Sequence, residues 1–221
     1  MRNNNQLFPS KEELIEDFSW YMQKNREGFT PESFLLKNEY GKKILPAYYD
    51  THVNNWNKYV VVEKAIRNVS LGNIPLNGKI DKIEFTGKLV DVVDYKTGKY
   101  ENARKKLNQP NEKDPNGGDY WRQAVFYKIL MDNDHTNDWQ TISTIFEFIE
   151  PIDDVYKTEK VIVTPQDITT VTQQIKDSWQ KIQNKEFKIG CGKPECEWCN
   201  FVKTNNITVA LHELIEEEEA E

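Results

Sequence analysis

The chain has 221 residues, 38% apolar and 29% charged, with 6 Trp, 10 Tyr, 10 Phe and a net charge of −7 at pH 7. These values predict one large domain, or one domain with an appendage, and enough apolar mass for a sizeable core; they exclude wholesale disorder. No apolar run approaches the roughly 18 residues of a membrane span. The first residues, MRNNNQLFPSKEELIEDF, carry no apolar export signal. Three cysteines without such a signal do not make a disulfide framework, so the expected compartment is a reducing cytoplasm.

The negative charge is unevenly spread. LHELIEEEEAE, at 211–221, holds six Glu and no Lys or Arg, which accounts for nearly all of the excess. KTGKYENARKK, at 96–106, sets Lys96, Lys99, Arg104, Lys105 and Lys106 against Glu101 alone. A near-neutral body with one basic stretch can bind a polyanion locally. A solvated loop would carry the same charges.

In chain order, Ser10 and Glu13 form a capping box for a first helix with Leu14, Ile15, Phe18, Tyr21 and Met22 on one stripe. Thr30-Pro31 opens a second, short helix. A third is expected over 41–58, begun or interrupted near Pro46. A polar stub running straight into a helix is what a piece of a longer polypeptide would show. From residue 59 the pattern turns to strands: YVVVEKAIRNVSL, then NIPLNGKIDKIEFT and KLVDVVDYKT on either side of Gly87. ENARKKLNQPNEKDPNGG reads as a long loop, a length that is often functional. DYWRQAVFYKILMDN is a helix, TISTIFEFIEP and KTEKVIVTP are strands, and Thr164-Pro165 caps a long helix reaching about Lys185. The acidic tail is expected to be disordered beyond Ile215.

This order predicts an α/β fold with a mixed sheet, divided as an N-terminal helical portion at 1–58, a core at 59–203 and an acidic tail at 204–221. No glycine-rich phosphate loop is present, which argues against nucleotide hydrolysis.

Asp81 in GKID and Asp94-Tyr95-Lys96 in VVDYKTG carry the candidate chemistry. Strand alternation points Asp94 and Lys96 one way and Tyr95 the other. If the two strands pair, Asp81 lies beside Asp94. Two carboxylates and an ammonium in apolar surroundings are costly without a counter-ion, and oxygen ligands favour Mg²⁺ or Mn²⁺. An ion pair closing a strand would use the same Asp94 and Lys96.

GKIDKIE followed by VVDYKTGK resembles the PD-(D/E)XK nuclease superfamily, specifically its RecB-like branch. Gln123-Ala-Val-Phe-Tyr127 is similar to that branch's Q-x-x-x-Y helix motif, and its two polar residues share one helix face at i and i+4. The resemblance implies a restriction-endonuclease-like core, a central mixed sheet flanked by helices. It implies a DNA nuclease in which Asp81, Asp94 and the Tyr95 backbone carbonyl hold Mg²⁺ or Mn²⁺, and Lys96 stabilises the attacking water or the transition state. Gln123 and Tyr127 would position the strand, with Lys99, Arg104, Lys105, Lys106 and Arg122 as phosphate contacts.

Glu63 is either a supporting acid, as relatives imply, or the polar face of a half-buried strand. The branch's upstream His ligand has no clear counterpart: His52 reads as an ordinary helix-surface residue. Lys82 stands where Arg is common and is expected to weaken a bidentate contact.

Cys191, Cys196 and Cys199 form a compact cluster. Relatives use three cysteines here and a fourth upstream for an iron–sulfur cluster. With only three, the chain is expected to be colourless, the thiols unligated and packed by Trp198 and Phe201, holding zinc with a His or water, or belonging to a truncated four-ligand site.

The resulting expectation is a Mg²⁺- or Mn²⁺-dependent deoxyribonuclease acting on single-stranded DNA or a duplex end. It would be a monomeric fragment without a membrane partner, and the C-terminal nuclease domain of a UvrD-like or AddB-type helicase–nuclease in recombination or repair. The alternatives are a nuclease-fold DNA-binding or docking domain that no longer cuts, and a regulatory module built on the cysteine knuckle.

Overall fold

The computed structural model describes residues 8–186, 194 and 196–204. Helix α1 spans Lys11–Lys24 and α2 spans Pro31–His52. Strands β1 (Val60–Leu71), β2 (Ile74–Thr86) and β3 (Leu89–Lys96) follow, then a helical turn α3 (Tyr100–Ala103) and α4 (Asp119–Asp132). The described part closes with β4 (Gln140–Phe148), β5 (Thr158–Val161), α5 (Pro165–Gln183) and α6 (Glu197–Thr204). The chain divides into two compact units, Met1–Val171 and Thr172–Glu221. Among the described residues no helix is long and apolar enough to cross a membrane.

One sheet runs in the order β1-β2-β3-β4-β5. All its pairings are antiparallel except β3 with β4, whose connection passes through α3 and α4. This is the mixed sheet flanked by helices that the element order predicts. The centre is apolar: Ile83, Val90, Val92, Val93 and Phe146 are fully buried. Helix α4 lies on the sheet through Ala124 against Phe146 and Phe148, with the Tyr120 and Phe146 rings stacked at 5.3 Å.

Local signals set the helix starts. Ser10 accepts from the Glu13 amide at 3.1 Å and Glu13 accepts from the Ser10 amide at 2.7 Å, completing the capping box. Thr30 caps α2. Two expectations need correction. The short second helix and the third at 41–58 are one helix, with Pro46 inside it. An interior proline costs about 3 kcal/mol, but tertiary bonds hold the segment beyond it: Tyr48 to Glu147, Tyr49 to the Pro9 carbonyl and Lys11 to Asp50. Gly41 in the same helix leaves room for Phe18, since a Cβ there would sit 2.1 Å from its ring. The long loop, in turn, begins with helical structure, α3 and a 3₁₀ turn at Arg104–Leu107. Ala103, Tyr100 and Leu107 have apolar partners around Phe146 and Phe148, which pulls this stretch onto the sheet.

Asp167 ties that loop down. Its side chain is 5% exposed and accepts from Gln109 Nε2 at 3.1 Å, Trp121 Nε1 at 3.3 Å, and the Thr164 amide and hydroxyl at 2.9 and 2.7 Å. Asp167→Ala orphans the buried Trp121 donor and removes the bonds to Gln109 and Thr164, and should cost about 2–4 kcal/mol. The check is a thermal melt, where a fall of about 5–15 °C is expected; a shift under about 2 °C would contradict this role.

Candidate active site

Strand pairing puts the two acids together. β2 and β3 pair from Thr86↔Leu89 to Lys82↔Val93, and one further step sets Asp81 opposite Asp94. Beyond that point the Tyr95 amide donates to Asp81 Oδ2 at 3.1 Å. Asp94 is 4% exposed, and burying a carboxylate to that degree demands partners. Lys96 Nζ lies 2.6 Å from Asp94 Oδ2. Gln123 Nε2 and the Tyr127 hydroxyl each donate to Asp94 Oδ1 at 2.8 Å. Gln123 Oε1 accepts from Lys96 at 2.8 Å, and its amide nitrogen also donates to the Tyr127 oxygen at 2.8 Å. Only one amide orientation satisfies both the ammonium and the carboxylate, so Gln123 is fixed on both sides.

The electrostatics follow from the packing. Burial pushes the Asp81 carboxyl up from the ordinary value, helped by Asp94 and Glu63 and opposed by the Tyr95 amide and Lys96. Burial, then Asp94, pushes the Tyr127 phenol far up, so it stays a hydrogen-bond donor. Two carboxylates thus face one ammonium.

Glu63 falls where the β1–β2 pairing skips, between Val62↔Lys82 and Lys64↔Ile80, in the register position opposite Asp81. Its φ is 54°, a left-handed value rare for a non-glycine residue inside a strand. Its carboxylate pairs with Lys79. Backbone strain of this kind costs on the order of 1 kcal/mol or more and concentrates at functional sites.

Of the basic residues, Lys106 places its ammonium 5.1 Å from the Tyr120 ring centre, while Lys96 lies 4.3 Å from the same centre. Lys99, Arg104 and Lys105 are exposed. Arg122 pairs with Asp119 on its own helix. Tyr120 escapes the sequence reading, although its i, i+3 spacing from Gln123 puts it on the same helix face.

Lys82, expected to weaken a bidentate phosphate or carboxylate contact, meets carboxylates: its ammonium is buried on the far face of the strand, 2.9 Å from Glu84 Oε1 and 3.7 Å from Glu147 Oε1. Burial works against its charge, yet Tyr95, Glu147 and Glu84 together hold its pKa above the ordinary lysine value. His52 is no plain surface residue. It is half-buried, its Nδ1 hydrogen-bonds the Tyr48 carbonyl at 2.9 Å, and its ring stacks on Tyr48 at 4.2 Å. Cys191 and the acidic tail lie outside the described residues. Cys196 and Cys199 are half-buried at and inside α6, where Trp198 is 81% and Phe201 56% exposed.

The structure thus sets an Asp and an Asp-x-Lys on neighbouring strands of a mixed sheet, under a helix presenting Gln and Tyr. The family profile of the PD-(D/E)XK nuclease superfamily matches residues 9–204, and the chain belongs to that superfamily. Fifteen chains of solved structures also match. One is a candidate exonuclease from Eubacterium rectale, 13% identical, with a TM-score of 0.51 over 88% of this chain and 75% of that one. At that identity the likeness is one of fold. No curated protein matches the sequence significantly.

The raised Asp81 pKa has a stability consequence. Its charged form is penalised on folding, so the penalty is absent below the ordinary carboxylate range and appears as pH rises through the folded value. Without divalent metal, Asp81→Asn should therefore raise the melting temperature by about 1–4 °C at pH 7 and give no gain at about pH 3. Equal gains at both values would remove the electrostatic explanation.

Proposed function

We propose that the chain is a metal-dependent deoxyribonuclease that hydrolyses phosphodiesters, working as the nuclease domain of a helicase–nuclease in recombination or repair. The observation that carries the reading is the convergence of Asp81, Asp94 and Lys96, with Lys96 held between Asp94 and Gln123. Membership of a nuclease superfamily supports the reaction class. The order GKID, VDYKTG and Q-x-x-x-Y supports the RecB-like branch and with it a motor partner and a cytoplasmic setting.

The donor set suits a hard dication. Asp81, Asp94 and the Tyr95 carbonyl offer oxygens alone, and Mg²⁺ or Mn²⁺ commonly takes one or two carboxylates and fills the remainder with water and phosphate. Bound there, the ion would supply Lewis-acid polarisation of the phosphate and an acidified water. Glu63 would join by turning its carboxylate from Lys79 toward Asp81, a use for its left-handed backbone.

The protein's own groups do the positioning. Lys96 donates toward the oxygen that gains charge in the transition state, and Gln123 keeps its ammonium from collapsing wholly onto Asp94. Tyr127 and Gln123 hold Asp94 Oδ1, leaving the other side of that carboxylate toward Lys96 and the substrate. Lys106, sharing the Tyr120 ring with Lys96, would contact a neighbouring phosphate, with Lys99, Arg104 and Lys105 meeting phosphates further along the DNA and Arg122 contributing if it leaves Asp119.

The direct test is cleavage of labelled single-stranded and duplex DNA with Mg²⁺, Mn²⁺ or chelator. Asp94→Ala should lose roughly a thousandfold or more in rate. DNA binding without metal-dependent cleavage by the wild-type protein would reduce it to a binding domain. Lys96→Ala should lower kcat far more than it raises KM; equal losses of affinity with unchanged turnover would make Lys96 a plain phosphate contact.

Glu63→Gly separates strain from function. Glycine accepts the left-handed backbone, so stability should rise by about 1 kcal/mol, while the Mn²⁺ concentration for half-maximal cleavage should increase severalfold. An unchanged Mn²⁺ requirement would remove Glu63 from the metal site.

A further inference from the structure

Each acid is followed in its strand by a residue that the chemistry above does not use through its side chain. Lys82 follows Asp81 and Tyr95 follows Asp94, and both side chains turn to the opposite face of the sheet. There the Lys82 ammonium, on a residue 6% exposed, lies 4.9 Å from the centre of the Tyr95 ring. It also meets Glu84 and Glu147. Glu147 is the β4 register partner of Tyr95, and its second oxygen accepts from Tyr48 of α2 at 3.0 Å. One buried cation therefore gathers groups from β2, β3 and β4, and through Glu147 reaches α2.

Stability alone is a poor account of such a cluster. Desolvating one ammonium and two carboxylates costs about as much as their attraction returns, and apolar side chains of similar volume commonly serve as well. Its position is more informative. The β2–β3 ladder runs only as far as Lys82↔Val93. Past it, the Tyr95 amide is spent on the Asp81 carboxylate. The peptide that orients one acid is therefore backed by its side chain on the far face, at the point where the β2 ladder ends and pairing continues with β4 alone.

We propose that Lys82 is a positioning residue for the acid pair: from the far face it fixes Tyr95, and the Tyr95 amide fixes the Asp81 carboxylate. Its consequence for metal rests on the reading of Asp81 as a ligand; its hold on Tyr95 does not.

The experiment is amide hydrogen exchange by NMR on the full chain, wild type against Lys82→Met. The Tyr95 amide should exchange at least tenfold faster in the variant relative to the amides of Val93 and Phe146 in the same sheet. General destabilisation would move all three together, and that result, or an unmoved Tyr95, would overturn the proposal. Should Lys82→Met fail to fold, Glu147→Gln keeps the lysine and loosens its anchor, and the same selective change at Tyr95 is expected.

Mn²⁺ titration supplies the second arm. Lys82→Met should raise the half-saturating Mn²⁺ concentration about tenfold in the wild-type background and have no further effect in Asp81→Asn, since a residue acting through Asp81 is not additive with its loss. Additive effects would overturn the route through Asp81. A wild-type protein that binds no Mn²⁺ would instead overturn the metal reading, and the exchange measurement would still decide whether Lys82 holds Tyr95.

Discussion

The burial of the Asp94 carboxylate sets the terms for everything around it. At 4% exposure it cannot keep its charge without partners, and its partners come from two directions: Lys96 from the same strand, Gln123 and Tyr127 from α4. Hydrogen bonds to a charged group contribute about 1.5–3 kcal/mol each, and a broken one leaves a desolvated charge behind. Helix α4 is therefore bound to the sheet by the same bonds that orient the acid. Its apolar side, through Ala124 and the stacked Tyr120, supplies adhesion, while Gln123 and Tyr127 supply the angular register. Fold and site are coupled at this one group.

The sheet separates two polar systems that share a backbone. On one face Asp81, Asp94 and Lys96 lie together with a surplus of negative charge. On the other, Lys82, Glu84, Glu147 and Tyr48 surround Tyr95. The tripeptide Asp94-Tyr95-Lys96 touches both, because alternation sends its outer residues one way and its middle residue the other. The middle residue of the D-x-K element is thus more than a spacer in this chain. Its amide serves the first face and its ring the second.

What was legible in the sequence is what one-dimensional rules govern. Alternation placed Asp94 with Lys96, hairpin pairing placed Asp81 beside Asp94, and i, i+4 spacing placed Gln123 with Tyr127. The same alternation, carried one residue past Asp81, would have sent Lys82 to the far face; adjacency to an acid is not proximity in a strand. Other features had no local signal. Pro46 reads as a helix boundary, and only the distant anchors at Pro9, Lys11 and Glu147 carry the helix through it. The left-handed backbone at Glu63 has no glycine to announce it, and the β1–β2 register runs on unchanged from Val62↔Lys82 to Lys64↔Ile80 around it. Thr164-Pro165 announces the helix that carries Asp167, but the bonds of Asp167 to Gln109 and Trp121 join residues far apart in sequence.

A chain of net charge −7 is not an obvious ligand for a polyanion. Screening removes the objection to the proposed substrate, because at physiological salt charges count over about 8 Å and the net value of the whole chain does not. The nearest run of cations follows directly from the acid-bearing strand: Lys96 ends β3, Lys99 precedes α3, and Arg104, Lys105 and Lys106 lie in the turn after it. The parallel pairing of β3 with β4 requires a crossover, and this crossover returns to α4 at Tyr120, whose ring meets both Lys96 and Lys106. Asp167 holds the far part of the same connection through Gln109. The topology that brings Gln123 and Tyr127 over Asp94 therefore also carries a basic segment past it. A basic segment beside the acids follows from how the strands are connected, and under the proposed function it is this segment that would meet a phosphate backbone.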